Sequence, residues 1–278
     1  MRYFKMNGAG NDFVIFDARA AGALQLTPAQ VRAIANRDTG VGCDQVIAIE
    51  RSIRGDAYMR IWNSEGGEVS ACGNATRCVG WLLMEEGRDG PLKIETAAGI
   101  LKATRAGERR IAIDMGSPLL KWEEIPVARA MDTVRLEYAA RAPGGEWLEG
   151  PGGVNMGNPH AVFFVRDADA APVREVGAFV EKDAFFPEGV NVEFAQILAP
   201  DRIRMRVWER AAGITKACGT GACATLVAAH RAGLAGRNAT ILCDGGDLDI
   251  EWRAADDRVI MTGPIELEHE GELRAQPA

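Results

Sequence analysis

Arg60-Ile61-Trp62 … Cys72-Gly73-Asn74 is the stretch that decides the fold, because the chain writes it a second time as Arg206-Val207-Trp208 … Cys218-Gly219-Thr220. In each copy the cysteine stands 12 residues after the arginine, and the copies lie 146 residues apart. Other positions fall into the same frame. Gln45-Val46 matches Asn191-Val192 at 146, and Gly10-Asn11 matches Gly157-Asn158 at 147. Gly99 matches Gly246 and Gly116 matches Gly263, again at 147. A constant shift of this size is far beyond the periods of solenoid repeats. It describes one unit duplicated over nearly the whole chain.

Within each copy strands and helices alternate. Residues 56–62 and 202–208 alternate as half-buried strands do. Each Cys-Gly is followed by a helical stretch, over 74–86 and 220–231, that stops at Gly87 and Gly233. Asn74 and Thr220 stand where N-caps belong. The second helix, with Ala222, Cys223, Ala224, Leu226, Val227, Ala228 and Ala229, is apolar nearly all round. Such a helix is buried on every side, which predicts a domain built around a central helix. Thr27-Pro28 opens an outer helix that reaches about Asn36. Residues 117–126 read as a domain junction. The fold class expected is α/β (α+β): two pseudo-symmetric domains from an internal duplication.

Composition narrows the function. The 278 residues suffice for two ordinary hydrophobic cores. A content of 47% hydrophobic and 26% charged residues is that of a soluble globular protein. A net charge of −7 without a Lys/Arg run argues against nucleic acid or an anionic membrane as partner. The N-terminus shows no secretory signature and no apolar stretch approaches the ~20 residues of a membrane span, so the expected location is cytoplasmic. The six cysteines form no CxxC pair and the three histidines are far apart, so neither a disulfide scaffold nor a metal site is expected.

A cysteine at the mouth of a helix meets unpaired backbone N–H groups and the positive end of the helix dipole. That setting lowers a thiol's pKa from about 8.5 toward neutrality. It also offers N–H donors to a carboxylate. Two such sites, related by duplication, are what a reaction needs if it takes a proton from one face of a carbon and returns one to the other. Cys72 and Cys218 are therefore the candidate acid–base pair. Cys43, Cys78, Cys223 and Cys243 lack that symmetry and read as structural. Asn11, Gln45, Asn63, Asn158 and Asn191 lie at or near matched positions and form a neutral hydrogen-bonding set suited to a zwitterion, although each alone could be a turn residue. Glu209-Arg210 breaks the symmetry, since its counterpart is Asn63-Ser64. It reads either as a surface pair or as the holder of an ammonium and a carboxylate. His160 is either a partner behind these groups or a structural residue.

Several of these segments together resemble the diaminopimelate epimerase family of amino-acid racemases and epimerases that work without pyridoxal phosphate. They are residues 6–13 (MNGAGNDF), Arg60 to Asn63, Cys72-Gly73-Asn74, Gly157-Asn158-Pro159-His160 and residues 186–191 (FPEGVN), followed by residues 206–210 (RVWER) and 217–223 (ACGTGAC). The resemblance runs from Met6 to about Gly263. It implies that each domain is a curled, mostly antiparallel sheet around its central helix, with the active site in the cleft between them. It implies a first domain of residues 1–118 plus 265–278 carrying Cys72, and a second of residues 119–264 carrying Cys218. The implied reaction interconverts LL- and meso-diaminopimelate, in the lysine and peptidoglycan precursor pathway, with Cys72 and Cys218 as the two bases and no cofactor or metal. Gly73, Asn74, Gly219 and Thr220 would bind the reacting carboxylate through their backbone. Glu209, with Asn11 and Gln45, would hold its ammonium, while Asn63, Asn158, Asn191 and Arg210 would hold the distal head. The expected partner is a small amino-acid substrate, not nucleic acid or membrane, with a homodimer as a possible assembly.

Asn7, Ala75, Ala211 and Ile214 depart from the family's usual histidine, glycine, glycine and acidic residue. The rival enzyme reading is a related racemase, also without pyridoxal phosphate, acting on another, single-headed amino acid. A binding protein on the same scaffold, or a thiol-disulfide redox protein, would lack one of the cysteines or show a CxxC.

Overall fold

The computed structural model describes residues 1–88 and 90–273. They divide into two compact units, Met1–Asp114 together with the chain from Thr262 onward, and Met115–Met261. Residues 274–278 of the expected return segment lie outside the described residues.

The first unit opens with β1 (Arg2–Asn7) and β2 (Asp12–Asp17), an antiparallel hairpin. Helix α1 (Pro28–Ala35) then crosses over to β3 (Gln45–Glu50), which lies parallel to β2. Its N-terminus is fixed by Thr27 and Gln30, each side chain bonded to the other's backbone N–H, with Pro28 in the first turn. An antiparallel run follows through β4 (Ala57–Asn63) and β5 (Glu68–Val69). Helix α2 (Gly73–Glu85) leads to β6 (Leu92–Thr96), parallel to β4. Strands β7 (Gly99–Gly107) and β8 (Arg110–Asp114) complete the copy in antiparallel fashion.

The second unit repeats this order. A small hairpin of β9 (Ala139–Arg141) and β10 (Trp147–Glu149) precedes it. Then come β11 (Gly152–Asn155), β12 (Pro159–Phe164), α3 (Val173–Glu181), β13 (Asn191–Ala199), β14 (Arg202–Glu209) and β15 (Gly213–Thr215). Helix α4 (Gly219–Arg231), β16 (Asn238–Cys243), β17 (Gly246–Trp252) and β18 (Val259–Pro264) follow. Parallel pairing is again found where a helix intervenes, at β12–β13 and β14–β16, because a parallel neighbour requires a crossover. Within β18 the chain passes back to the first unit, which it then completes as β19 (Glu266–Glu272), antiparallel to β1. Leu119, which follows β8, makes the matching pair with Asn155 of β11 in the second unit. Residues 117–126 thus belong to the second unit's packing, with Ile125 in its core.

Helix on both faces explains the burial pattern. Val14, Phe16, Val46 and Ala48 pack with Val31 of α1 on one face. Phe13, Ile15, Ile47 and Ile49, which alternate with them, are equally buried on the other. In the second unit Phe163 and Phe194 stack beneath Val176 and Val180 of α3. Each such side chain contributes about 1.5–3 kcal/mol on burial. Helix α4 touches β11, β12, β13, β14, β16 and β17; six strands reach one helix only if the sheet curls round it. Its alanines let those strands approach, so the central helix expected from its all-round apolarity is found. Among the described residues no helix is long and apolar enough to cross a membrane.

Candidate active site

The two helices after the Cys-Gly pairs begin one residue earlier than the sequence suggests, and their caps are the cysteines themselves. Cys72 is extended (φ −150°, ψ 110°) and its Sγ accepts from the Ala75 N–H at 3.5 Å. Cys218 (φ −119°, ψ 114°) accepts from the Gly221 N–H at 3.4 Å. A thiol fills the role that Thr27 fills for α1 with oxygen. Asn74 and Thr220, expected as caps, lie inside the first turn, because sulfur two residues earlier already reaches the donor. The N–H groups of Gly73, Asn74, Gly219 and Thr220 stand at the positions of a helix that have no carbonyl partner within it.

Around Cys72, which is half-buried, the second contact is Asn11 Oδ1 at 3.9 Å. Asn11 Nδ2 donates to Asp44 Oδ2 at 2.7 Å, and the Asp12 N–H donates to the same oxygen at 3.1 Å. Asp44 Oδ1 accepts from Arg37 at 2.7 Å, and Arg37 also bridges both oxygens of Asp12 at 2.8 and 2.9 Å. Lys5, itself buried, completes the network at 2.5 Å from Asp12. Burial pushes the Asp12 carboxyl up, but the hydrogen bonds from Arg37 and Lys5 outweigh it and hold the group well below the usual carboxylate range. Gln45 and Asn63 pair across β3 and β4. Asn63 Oδ1 closes the following turn on the Gly67 N–H at 2.8 Å, whereas Gln45 Oε1 and Asn74 Oδ1 are buried without a protein partner.

Cys218 sits in a different environment. It is only 5% exposed, with Thr220 Oγ1 3.4 Å from its sulfur. Burial, followed by the charges of Glu209 and Glu193, pushes its thiol well above the ordinary value. The lowering expected at a helix mouth is therefore overridden here by desolvation and two carboxylates. Burial also raises Glu209, against hydrogen bonds from the Thr215 hydroxyl and the Cys218 thiol. His160, fully buried, places Nδ1 at 2.7 Å from Glu193 Oε1 and Nε2 at 2.9 Å from Asn158 Oδ1. Asn191 engages the Pro159 carbonyl and the Arg210 N–H at 2.8 and 2.9 Å. The exposed Arg210 side chain donates to the Glu188 carbonyl at 2.8 Å. Ala211, where the family usually has glycine, adopts φ +62° with its N–H held by Glu181 at 2.9 Å.

Each unit thus brings its own share of the expected residues together. Asn11 meets Cys72 in the first unit, and Glu209 and Thr220 meet Cys218 in the second. Asn158 reaches His160, and Asn191 reaches Arg210. Asp44, Glu193 and Thr215 were not singled out from sequence. Glu193 left a signal, since its counterpart 146 residues earlier is Ile47. By contrast, Cys43 and Cys78 are pushed up to about 12 by burial and read as inert. Among the described residues no group of His, Cys, Asp and Glu could hold a metal ion.

Comparison with known proteins gives the same frame. The family model "Diaminopimelate epimerase" matches residues 3–121 and 153–268. A diaminopimelate epimerase of Phenylobacterium zucineum is 56% identical over 276 residues, 98% of this chain and 97% of that protein. One from Acidiphilium cryptum is 51% identical over 273 residues, 98% and 96% of the two chains. Among solved structures, a probable proline racemase from Agrobacterium radiobacter superposes with a TM-score of 0.70 at 16% identity, covering 99% of this chain and 93% of that one. A predicted epimerase from Pseudomonas aeruginosa gives 0.69 at 17% identity, covering 99% of both. These structural likenesses establish the two-domain fold.

Proposed function

The chain belongs to the diaminopimelate epimerase family, and on that premise we propose that Cys72 and Cys218 are the acid–base pair of the reaction. The enzyme is an isomerase that epimerises LL-diaminopimelate to the meso form, a step of lysine biosynthesis. The observation that carries the two-thiol reading is that sulfur caps repeat-equivalent helices in both units.

In the forward direction one sulfur, as thiolate, takes the α-proton. The other, as thiol, delivers its proton to the opposite face, so the two sulfurs end with exchanged protonation states. Turnover thus needs the two sulfurs in opposite protonation states. The α-proton beside a carboxylate is very weakly acidic, so charge developing on the carbanion must be met by donors already in place. The N–H groups of Gly73, Asn74, Gly219 and Thr220, at the positive ends of α2 and α4, suit the reacting carboxylate. Glu209, next to Cys218, suits the ammonium, with Asn11 and Gln45, and its raised pKa also fits it to exchange a proton with that thiol. Asn63, Asn158 and Arg210 suit the distal amino-acid head, with Asn191 holding the Arg210 backbone in place. This chemistry runs on the chain's own groups, on a small amino-acid substrate, in the cytoplasm.

The test is an assay of reduced protein with LL-diaminopimelate and no added cofactor, read by chiral separation, beside a panel of proline, glutamate and histidine. Meso product from diaminopimelate alone is expected. Racemisation of a single-headed amino acid with diaminopimelate left unchanged would transfer the assignment to the rival racemase.

A further inference from the structure

Asn11 is the group whose orientation decides what Cys72 meets. An amide presents an acceptor oxygen on one side and a donor NH₂ on the other, and the two ends have opposite effects on a thiol. Oxygen facing sulfur accepts S–H and disfavours S⁻; NH₂ facing sulfur does the reverse. An amide's orientation is settled by its other partners. Here that partner is the Asp44 carboxylate, ion-paired to Arg37 and therefore an acceptor only, so Nδ2 must face Asp44 Oδ2 and Oδ1 is left facing Cys72 Sγ. Asp44 cannot turn away, because the same oxygen takes the Asp12 N–H and the Asp44 N–H is returned to Asp12 Oδ1 at 2.9 Å. Arg37 and Lys5 clamp Asp12 in turn.

We infer that Asp44 is a positioning residue: it locks the Asn11 amide with oxygen toward Cys72 and so holds this sulfur as a proton-bearing thiol. Asp44 acts through Asn11, and its importance for turnover rests on the two-thiol reading. Among the described residues of this unit, the charged and titratable groups near Cys72 include Cys78 and Arg77 on its own helix, with Asp12, Asp44, Lys5 and Arg37 behind Asn11. The sulfur also accepts the Ala75 N–H, which a thiol can do while donating to Asn11.

The test follows alkylation of Cys72 by iodoacetamide against pH, using mass spectrometry of the tryptic peptide spanning 61–77, in which it is the sole cysteine. No substrate is involved, so the result stands even if the epimerase assignment fails. Asp44→Asn removes the lock and a negative charge together, and the alkylation midpoint is expected to fall by about one pH unit. A background of Asn11→Leu separates the two effects. There Asp44→Asn is expected to move the midpoint by no more than a few tenths of a unit. An equal fall in both backgrounds, or no fall in either, would overturn the inference. The exchange Asn11→Asp/Asp44→Asn keeps net charge and the hydrogen bond with its polarity reversed, and serves if the single variant does not fold. It is expected to raise the midpoint, and a fall would overturn the inference equally.

Discussion

The half-sites at Cys72 and Cys218 share a cap geometry and differ in nearly everything that surrounds it. At Cys72 the sulfur is half-buried, its neighbour is a neutral amide, and the carboxylates behind that amide are neutralised by Arg37 and Lys5. At Cys218 the sulfur is buried and two carboxylates, Glu209 and Glu193, act on it directly. The difference extends to the backbone. A Cβ on Gly221 would lie 2.7 Å from Glu193 Oε1 and 3.2 Å from Cys218 Cβ, so a side chain here would have to push one of them aside. Its counterpart is Ala75, and the strand position matching Glu193 is Ile47. Duplication preserved the scaffold that places sulfur at a helix mouth, while divergence set the charge around each. A reaction that needs one thiolate and one thiol benefits from sites that are not electrostatically identical.

The comparison is broken most severely by removing either sulfur. Cys72→Ala and Cys218→Ala should each lower kcat by about 1,000-fold or more with the circular dichroism spectrum retained; more than a few per cent of activity in either would make one half-site dispensable. Glu209→Gln should lower kcat by about 100-fold. Because Glu209 holds the Cys218 thiol up, its neutralisation should also shift Cys218 alkylation to lower pH, while Cys72 alkylation stays within a few tenths of a unit. A smaller effect, about tenfold in kcat, is expected for Gly221→Ala, which must displace Glu193 or the Cys218 sulfur. Ala75→Gly should stay within about twofold, since the strand position matching Glu193 is apolar Ile47, and equal losses would erase the asymmetry. The smallest effect is on stability. The Asp12 carboxyl lies below its ordinary 3.8, so its ionised form stabilises the fold above that value and the contribution fades as the pH falls through it. Asp12→Asn should therefore lower Tm by about 3 °C at pH 7, with the gap closing toward pH 2 in calorimetry.

Much of this was legible in the chain because the repeat is written in residues that backbone geometry demands. The cysteines, the glycines after them, the paired strands and the outer helix at Thr27-Pro28 all follow from local rules. Helix α3 was not read from the sequence, although the repeat places the end of α1 at Glu181, 146 residues on, because its glycine hid it. Gly177 is needed because a Cβ there would meet Trp208 at 2.4 Å, a contact that only the folded sheet reveals. The cap residue was missed by two positions because a thiol is an uncommon cap. Asp44, Glu193 and Thr215 were missed for a stronger reason. Their roles arise from strand register, which sets Glu193 opposite Val162 and Val207, and from a loop that folds Asp44 back onto Asn11. Sequence proximity carries none of that.

The most direct test of the two-thiol account is the label distribution after a small fraction of one conversion of LL-diaminopimelate in D₂O, followed by proton NMR. Two opposed sulfurs predict meso product carrying deuterium at the inverted carbon, because the delivering thiol has equilibrated with solvent, while the remaining LL substrate keeps its protium. Meso product that retains the substrate's own α-proton would mean that a single base both removes and returns it, and would contradict the account.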